Sequence, residues 1–241
     1  DLGRMSDLED IVADLGPTPE LVAAGERRLR AMADAPLRYG RGVTRLSFAG
    51  ASAAAAVLIG GTAEGALFAA AGGLAVGLGL EAAASRPRLA RAFLLLASAS
   101  VAFAATLFAA VAATDGAVIA LAALIVLLPG LSLTLAMREL AARHLVSGGS
   151  RLMGAAVDFV SIGFGLALGE RIARSVLEPL ATGRPWLSAT PRPGTLDPAW
   201  DAAALLVAPL TFLVLFQAPP RAVLPIIGTC LLAWTTAAAM D

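Results

Sequence analysis

Two places in this sequence put polar chemistry inside apolar runs. Pro129-Gly130 interrupts the run 117 to 137, and Asp158 is the only acidic residue well inside the run 152 to 169. Proline removes an intrahelical hydrogen bond and crowds the preceding turn, while glycine lowers the cost of leaving helical geometry, so a break is expected there. The 12 steps from Ala117 to Pro129 correspond to about 18 Å of helix, which places the interruption near the middle of a bilayer core of about 30 Å. Backbone groups freed at that depth must be satisfied by protein or cavity water, and discontinuous helices therefore mark transporter binding sites; the plain alternative is a structural kink. Pro129 and Gly130 are thus the candidate substrate-binding positions, with amides and carbonyls suited to a zwitterion.

Asp158 follows Arg151 by seven residues, about 10 Å along a helix, which puts it within the hydrocarbon but toward the cytoplasmic side. A carboxylate there costs roughly 3 kcal/mol on insertion scales and persists where it faces a cavity, a partner or a proton path. It is the first candidate to carry a coupling proton; the alternative is a carboxylate satisfied by a neighbouring hydroxyl or by interfacial water. Glu64 and Glu139 border spans and are the second candidates for proton coupling or gating. The bland reading of such boundary charges, which also covers Glu81 and Asp115, is a solvated anchor.

Other chemistry is poorly supplied. Cys230 is the single cysteine and His144 the single histidine, so no disulfide within the chain, no clustered metal site and no paired-histidine motif is expected. A nucleophile elbow, a phosphate-cradling glycine-lysine loop and a paired-aspartate head-group motif are all missing, which argues against an enzyme and calls for no cofactor. The segment Ser147 to Arg151 precedes a span and reads as a loop whose Ser150 caps the following helix. Trp186, Trp200 and Trp234 fit interfacial positions better than a substrate cage.

The elements that must hold these residues are membrane spans. The 241 residues are 58% hydrophobic and 15% charged, with a mean hydropathy of +0.80, against roughly 45–50% apolar and 25% charged in soluble domains. Charges are crowded into the first 45 residues, where Pro19 follows Thr18 at a helix start and Leu21, Val22, Gly25, Leu29 and Met32 form one stripe. That stripe suits either a membrane-surface or gating helix, or one packed on neighbouring cytoplasmic structure. Beyond Arg45, seven apolar runs qualify as candidate spans, 46–63, 65–80, 92–113, 117–137, 152–169, 202–218 and 222–240, of which 65–80 and 202–218 are the weaker. The expected fold is an all-α polytopic transmembrane helical bundle. It has a cytoplasmic helical lead (1–45), a first repeat of about five spans (46–169), an external loop (170–201) and the start of a second repeat with about two spans (202–241).

Every cation is an arginine, and a cytoplasmic N-terminus divides them 14 inside to 4 outside, the asymmetry that sets orientation. Net charge is zero, and nucleic acid is not an expected partner. Small residues one turn apart, at Gly61/Gly65, Gly73/Gly77 and Gly165/Gly169, allow close helix approach in lipid.

The stretch LLPGLSLTLAMRELAARHLVSGGSRLMGAAVDFVSIGFGLALG, residues 127 to 169, resembles the threonine/serine exporter family. The resemblance rests on Leu128-Pro129-Gly130, Glu139, Gly149 with Arg151, and Gly163 with Gly165. Upstream, Tyr39 and Gly60-Gly61 followed by Glu64 look like the family's first span, and QAPPRAVLPIIGTCLLAW, residues 217 to 234, is similar to the opening of its second repeat. The resemblance implies an inner-membrane, multi-pass carrier of two related five-span halves that exports threonine and serine on the proton gradient. Its expected partners are the amino-acid substrate, protons, membrane lipid and the remaining spans of a second repeat, in the same or a partner chain. Two rivals stand beside it: a membrane-embedded lipid-modifying enzyme and a non-transporting scaffold subunit.

Overall fold

In a computed structural model the chain is described at residues 8, 11–12, 19–34, 38–181, 196–219 and 223–238. These residues form α1 (Pro19–Asp34), α2 (Arg41–Leu58), α3 (Ala63–Ala84), α4 (Pro87–Ala112), α5 (Gly116–Ala123), a 3-10 turn (Ile125–Leu127), α6 (Gly130–Ala141), α7 (Leu145–Ala181), α8 (Pro198–Leu215) and α9 (Val223–Ala238). No strand occurs among them, and the architecture is the all-α bundle expected. The chain divides into two compact units, Phe48–Ala204 and a second made of Asp1–Ser47 with Leu205–Asp241.

The Phe48–Ala204 unit is held by small residues. In lipid no hydrophobic force drives helices together, so packing depends on how closely backbones approach. At Gly73 an added Cβ would lie 2.1 Å from Ser52 Oγ, and at Gly165 it would lie 1.9 Å from Ser98 Oγ. At Gly169 it would meet the Ala99 carbonyl oxygen at 2.1 Å. Gly165 and Gly169 therefore seat α7 against α4, and Gly73 seats α3 against α2. The polar side chains in these seams are satisfied locally: Ser98 Oγ donates to the Leu94 carbonyl at 2.7 Å, and Ser52 Oγ donates to the Ala123 carbonyl at 3.4 Å.

Helix ends follow from sequence. Thr62 caps α3 by accepting from Gly65 N–H at 3.1 Å, and Asp115 caps α5 by accepting from Ala117 N–H at 2.8 Å. Pro87 occupies the first turn of α4, where its missing donor is harmless. Three helices close with the Schellman pattern, in which the last carbonyls are taken by the two amides that follow. In α2 these bonds are Gly60 N–H to Val57 and Gly61 N–H to Ala56. In α6 they are Arg143 N–H to Leu140 and His144 N–H to Glu139, and in α8 Gln217 N–H to Val214 and Ala218 N–H to Leu213. Gly60 supplies the left-handed conformation freely, whereas Arg143 (φ 63°) and Gln217 (φ 52°) adopt it against preference.

In the other unit, Gln217 is drawn into place by Tyr39. Tyr39 N–H donates to Gln217 Oε1 at 3.0 Å, and the Tyr39 hydroxyl donates to the Ala218 carbonyl at 3.2 Å. On α1, Gly25 is buried, while Val22 and Leu29 of the apolar stripe are exposed.

Of the seven runs expected as spans, fewer qualify once their helices are measured. Among the described residues α3, α4, α7 and α8 are long and apolar enough to cross a bilayer, and α5 with the 3-10 turn and α6 makes a fifth if counted as one bent span. Two runs drop out. The helix of the first run, α2, starts at Arg41 and carries Arg45, which dilutes its apolarity, and α9 has 16 residues. The weaker runs 65–80 and 202–218 do qualify, as α3 and α8. Beyond Gly169, where hydropathy ends the run, α7 continues to Ala181, with Arg174 paired one turn back to Glu170.

Gly169→Ala should destabilise the protein by about 1–3 kcal/mol, because a backbone carbonyl cannot step aside for the new methyl. Gly163→Ala, where nothing lies within 4 Å, should be neutral or stabilising through helix propensity. Reversible unfolding in detergent micelles measures both.

Candidate functional site

The interruption read from Pro129-Gly130 is present. The helix that starts at Gly116 ends at Ala123, tightens into the 3-10 turn and resumes at Gly130, with a bend of 47° between the two parts. Leu124 sits at the junction, fully buried. Pro129 has φ −78° and ψ 47°, and no side chain caps the start of α6. Gly130 N–H turns back to the Leu128 carbonyl at 2.8 Å and Leu133 N–H takes the Pro129 carbonyl at 2.9 Å. The first-turn amides of Leu131 and Ser132 are therefore the ones a helix start leaves for an outside acceptor. Gly130 is exposed, with open space where a Cβ would be.

Asp158 is half-buried on α7. At about 100° per residue, it lies about 45° from the buried stripe of Ala155, Ile162, Gly169 and Ala173, and about 120° from the exposed stripe of Met153, Val157, Val160 and Phe164. It thus borders the packed face and turns away from the lipid-facing stripe. It has no ion-pair or hydrogen-bond partner among the described residues, so the alternative of a neighbouring hydroxyl does not hold for them.

Glu139 is tied across the α6–α7 hairpin. Arg151 Nε donates to its Oε1 at 3.2 Å and a second guanidinium nitrogen lies 3.1 Å from the same oxygen, while the buried Oε2 has no partner. This pair fixes the register of the hairpin. Gly148 confirms it, packing against Leu140 and the Ala136 carbonyl. Along α7, Asp158 lies seven residues past Arg151, and along α6, Ser132 lies seven residues before Glu139, about 10 Å in each case.

The structure places Pro129 and Gly130 at the start of α6, Glu139 two turns away along α6, and Asp158 on the face of α7 that carries Gly165 and Gly169, with no hydrogen bond or ion pair between Asp158 and the α6 start among the described residues. Glu64 is not part of this group: it is exposed in the first turn of α3, where a carboxylate complements the helix dipole. Leu124, Ile162 and Val76 pack as a buried cluster, with Leu127, Leu128 and Leu166 against it. This apolar plug closes the unit immediately beyond the break.

On the far side of the plug lies a cleft that sequence reasoning did not find. It has a volume of about 530 Å³ between α4, α5 and α7. Its floor includes Leu166, Ala120 and Leu121, and its polar rim is Thr106, Thr114, Asp115, Glu170 and Arg174. The signal that could have revealed it was the Glu170–Arg174 spacing, which marks a continuing helix where hydropathy alone reads a loop.

Apolar helices long enough to span a bilayer, one of them broken, define a polytopic membrane protein with discontinuous-helix architecture. Residues 1–173 match the family described as "Putative threonine/serine exporter". That match covers most of the chain, and the chain belongs to this family of transporters. No curated protein and no solved structure matches it.

The Glu139–Arg151 pair is only partly buried, so a double-mutant cycle with Glu139→Gln and Arg151→Gln should give a coupling energy of about 1 kcal/mol or less. Arg151→Gln alone should cost more than Glu139→Gln alone, since it leaves a carboxylate oxygen buried without its cation. Denaturant titration in micelles reads all three values.

Proposed function

We propose that this chain forms part of a secondary active exporter of threonine and serine, in the inner membrane with its N-terminus cytoplasmic, driven by the proton gradient. The observation that supports this reading is the broken helix with its uncapped α6 start, in a hairpin whose other helix carries Asp158. A helix N-terminus carries a partial positive charge and unpaired amides, which suit the α-carboxylate of an amino acid. A carboxylate on the facing helix suits its α-ammonium or a proton.

Asp158 carries the coupling proton in this reading. When ionised it attracts the substrate ammonium; when protonated it no longer does, so protonation and substrate occupancy are linked at one group. Substrate binds at the backbone of Pro129-Gly130, and Ser132, two residues further into the same turn, suits a substrate hydroxyl. Glu139, with one carboxylate oxygen held by Arg151 and the other buried, is a second proton site or the closure of the α6–α7 hairpin. Glu64, in the first turn of α3, acts as a boundary gate. The family is one of transporters, and a lipid-modifying enzyme finds no set of convergent polar groups at this site to support it.

Asp158→Asn should abolish gradient-driven threonine efflux from cells while expression and membrane insertion persist. Asp158→Glu should retain part of it. Efflux of Asp158→Asn equal to wild type removes Asp158 from the mechanism.

A further inference from the structure

The cleft beyond the plug is built unlike a packing defect. Asp115, Glu170 and Arg174 stand at its mouth and Thr106 and Thr114 below them, while the rest of the lining is alanine, glycine and leucine. Nineteen residues of α7 separate Arg151 from Glu170, about 28 Å, so this mouth lies at the opposite end of the unit from the Glu139–Arg151 pair. From Ala102 in its floor to the end of α4 at Ala112 is ten residues, so the cleft reaches about 15 Å inward.

Its charges are only half used. Arg174 Nε donates to Glu170 Oε1 at 3.1 Å, and Arg174 Nη2 is bound to the same oxygen. Glu170 Oε2 and Arg174 Nη1 remain open to a ligand. Asp115 Oδ1 accepts from Ala117 N–H at 2.8 Å and from Val118 N–H at 3.4 Å, leaving Oδ2 open. The Thr114 hydroxyl is 3.1 Å from that of Thr62, and the Thr106 hydroxyl donates to the Ala102 carbonyl at 2.8 Å. Asp115 also caps α5 and Glu170 also pairs with Arg174 one turn along α7, but those local roles do not require the three charges to line one alanine-walled hollow.

We infer that this cleft is a binding site for a free α-amino acid on its way out, distinct from the site at the α6 start. Asp115 and Glu170 receive the α-ammonium, Arg174 the α-carboxylate, and the small apolar lining admits a short side chain. The rim carries one negative charge in excess, which selects for an unblocked amine. The identity of the ligand rests on the exporter reading; the site itself rests on the cleft. Leu166 lines the cleft and also packs on the plug of Val76, Leu124 and Ile162.

The test is equilibrium binding of radiolabelled L-threonine to the detergent-solubilised full-length protein, with the methyl ester and N-acetyl derivatives of L-threonine as competitors. Wild type should discriminate against both derivatives by about tenfold or more, the worth of one charged hydrogen bond. Arg174→Gln should lose discrimination against the ester while keeping that against the N-acetyl form, and the double variant Asp115→Asn/Glu170→Gln should do the reverse. A merely structural role would weaken all ligands alike. Threonine binding in which both variants keep both discriminations overturns the cleft site and leaves the exporter reading intact. Wild-type protein that neither binds nor exports threonine overturns both.

Discussion

In hydrocarbon an unpaired backbone amide or carbonyl has no water to turn to, and each costs several kcal/mol. Every other feature of the Phe48–Ala204 unit answers to that constraint. Uninterrupted helices satisfy it within themselves, which is why most of the chain is plain apolar helix. The segment from Leu124 to Pro129 does not, and its 3-10 turn and the Leu128–Gly130 bond recover only part of what the break exposes. What remains, at the start of α6, is a set of first-turn amides without a side-chain cap, beside an exposed Gly130.

Close packing is the second half of the same account. With no hydrophobic force between helices in lipid, the seams need small residues that let many weak contacts form at once. Gly73, Gly165 and Gly169 supply them, and the serines in those seams bond to their own or neighbouring backbone without demanding water. α4 and α7 are thereby locked as neighbours, and α7 carries both the lone carboxylate at one end and the charged rim of the cleft at the other. One rigid helix thus links two polar sites, with the plug of Val76, Leu124 and Ile162 between them.

If both proposed sites are real, the apolar cluster of Val76, Leu124 and Ile162 beside the bend is the kind of constriction that alternating access uses. The α6–α7 hairpin is tied at its tip by Glu139 and Arg151, while α5 is seated among α3 and α4. Motion at the 47° bend would therefore move the two parts of the broken helix with different neighbours. In the proposed mechanism, proton binding at Asp158 and amino-acid binding at the α6 start would bias that motion.

Local chemistry made several of these features legible from residue order. Pro129-Gly130 breaks its helix because proline lacks a donor whatever surrounds it, and the glycine pairs predict tight seams because a missing Cβ is a fixed property. The membrane class and the all-α fold follow from apolar runs too long and too uncharged for water. Tertiary structure alone decided the rest. Residue order could not show that Glu139 and Arg151 tie together α6 and α7, the hairpin that carries the break and Asp158. Nor could it show where each described helix begins and ends, because helix limits depend on caps and flanking arginines. The Asp115–Glu170–Arg174 rim was invisible for the same reason: its members come from segments more than 50 residues apart, and only the packing of α4, α5 and α7 brings them around one hollow.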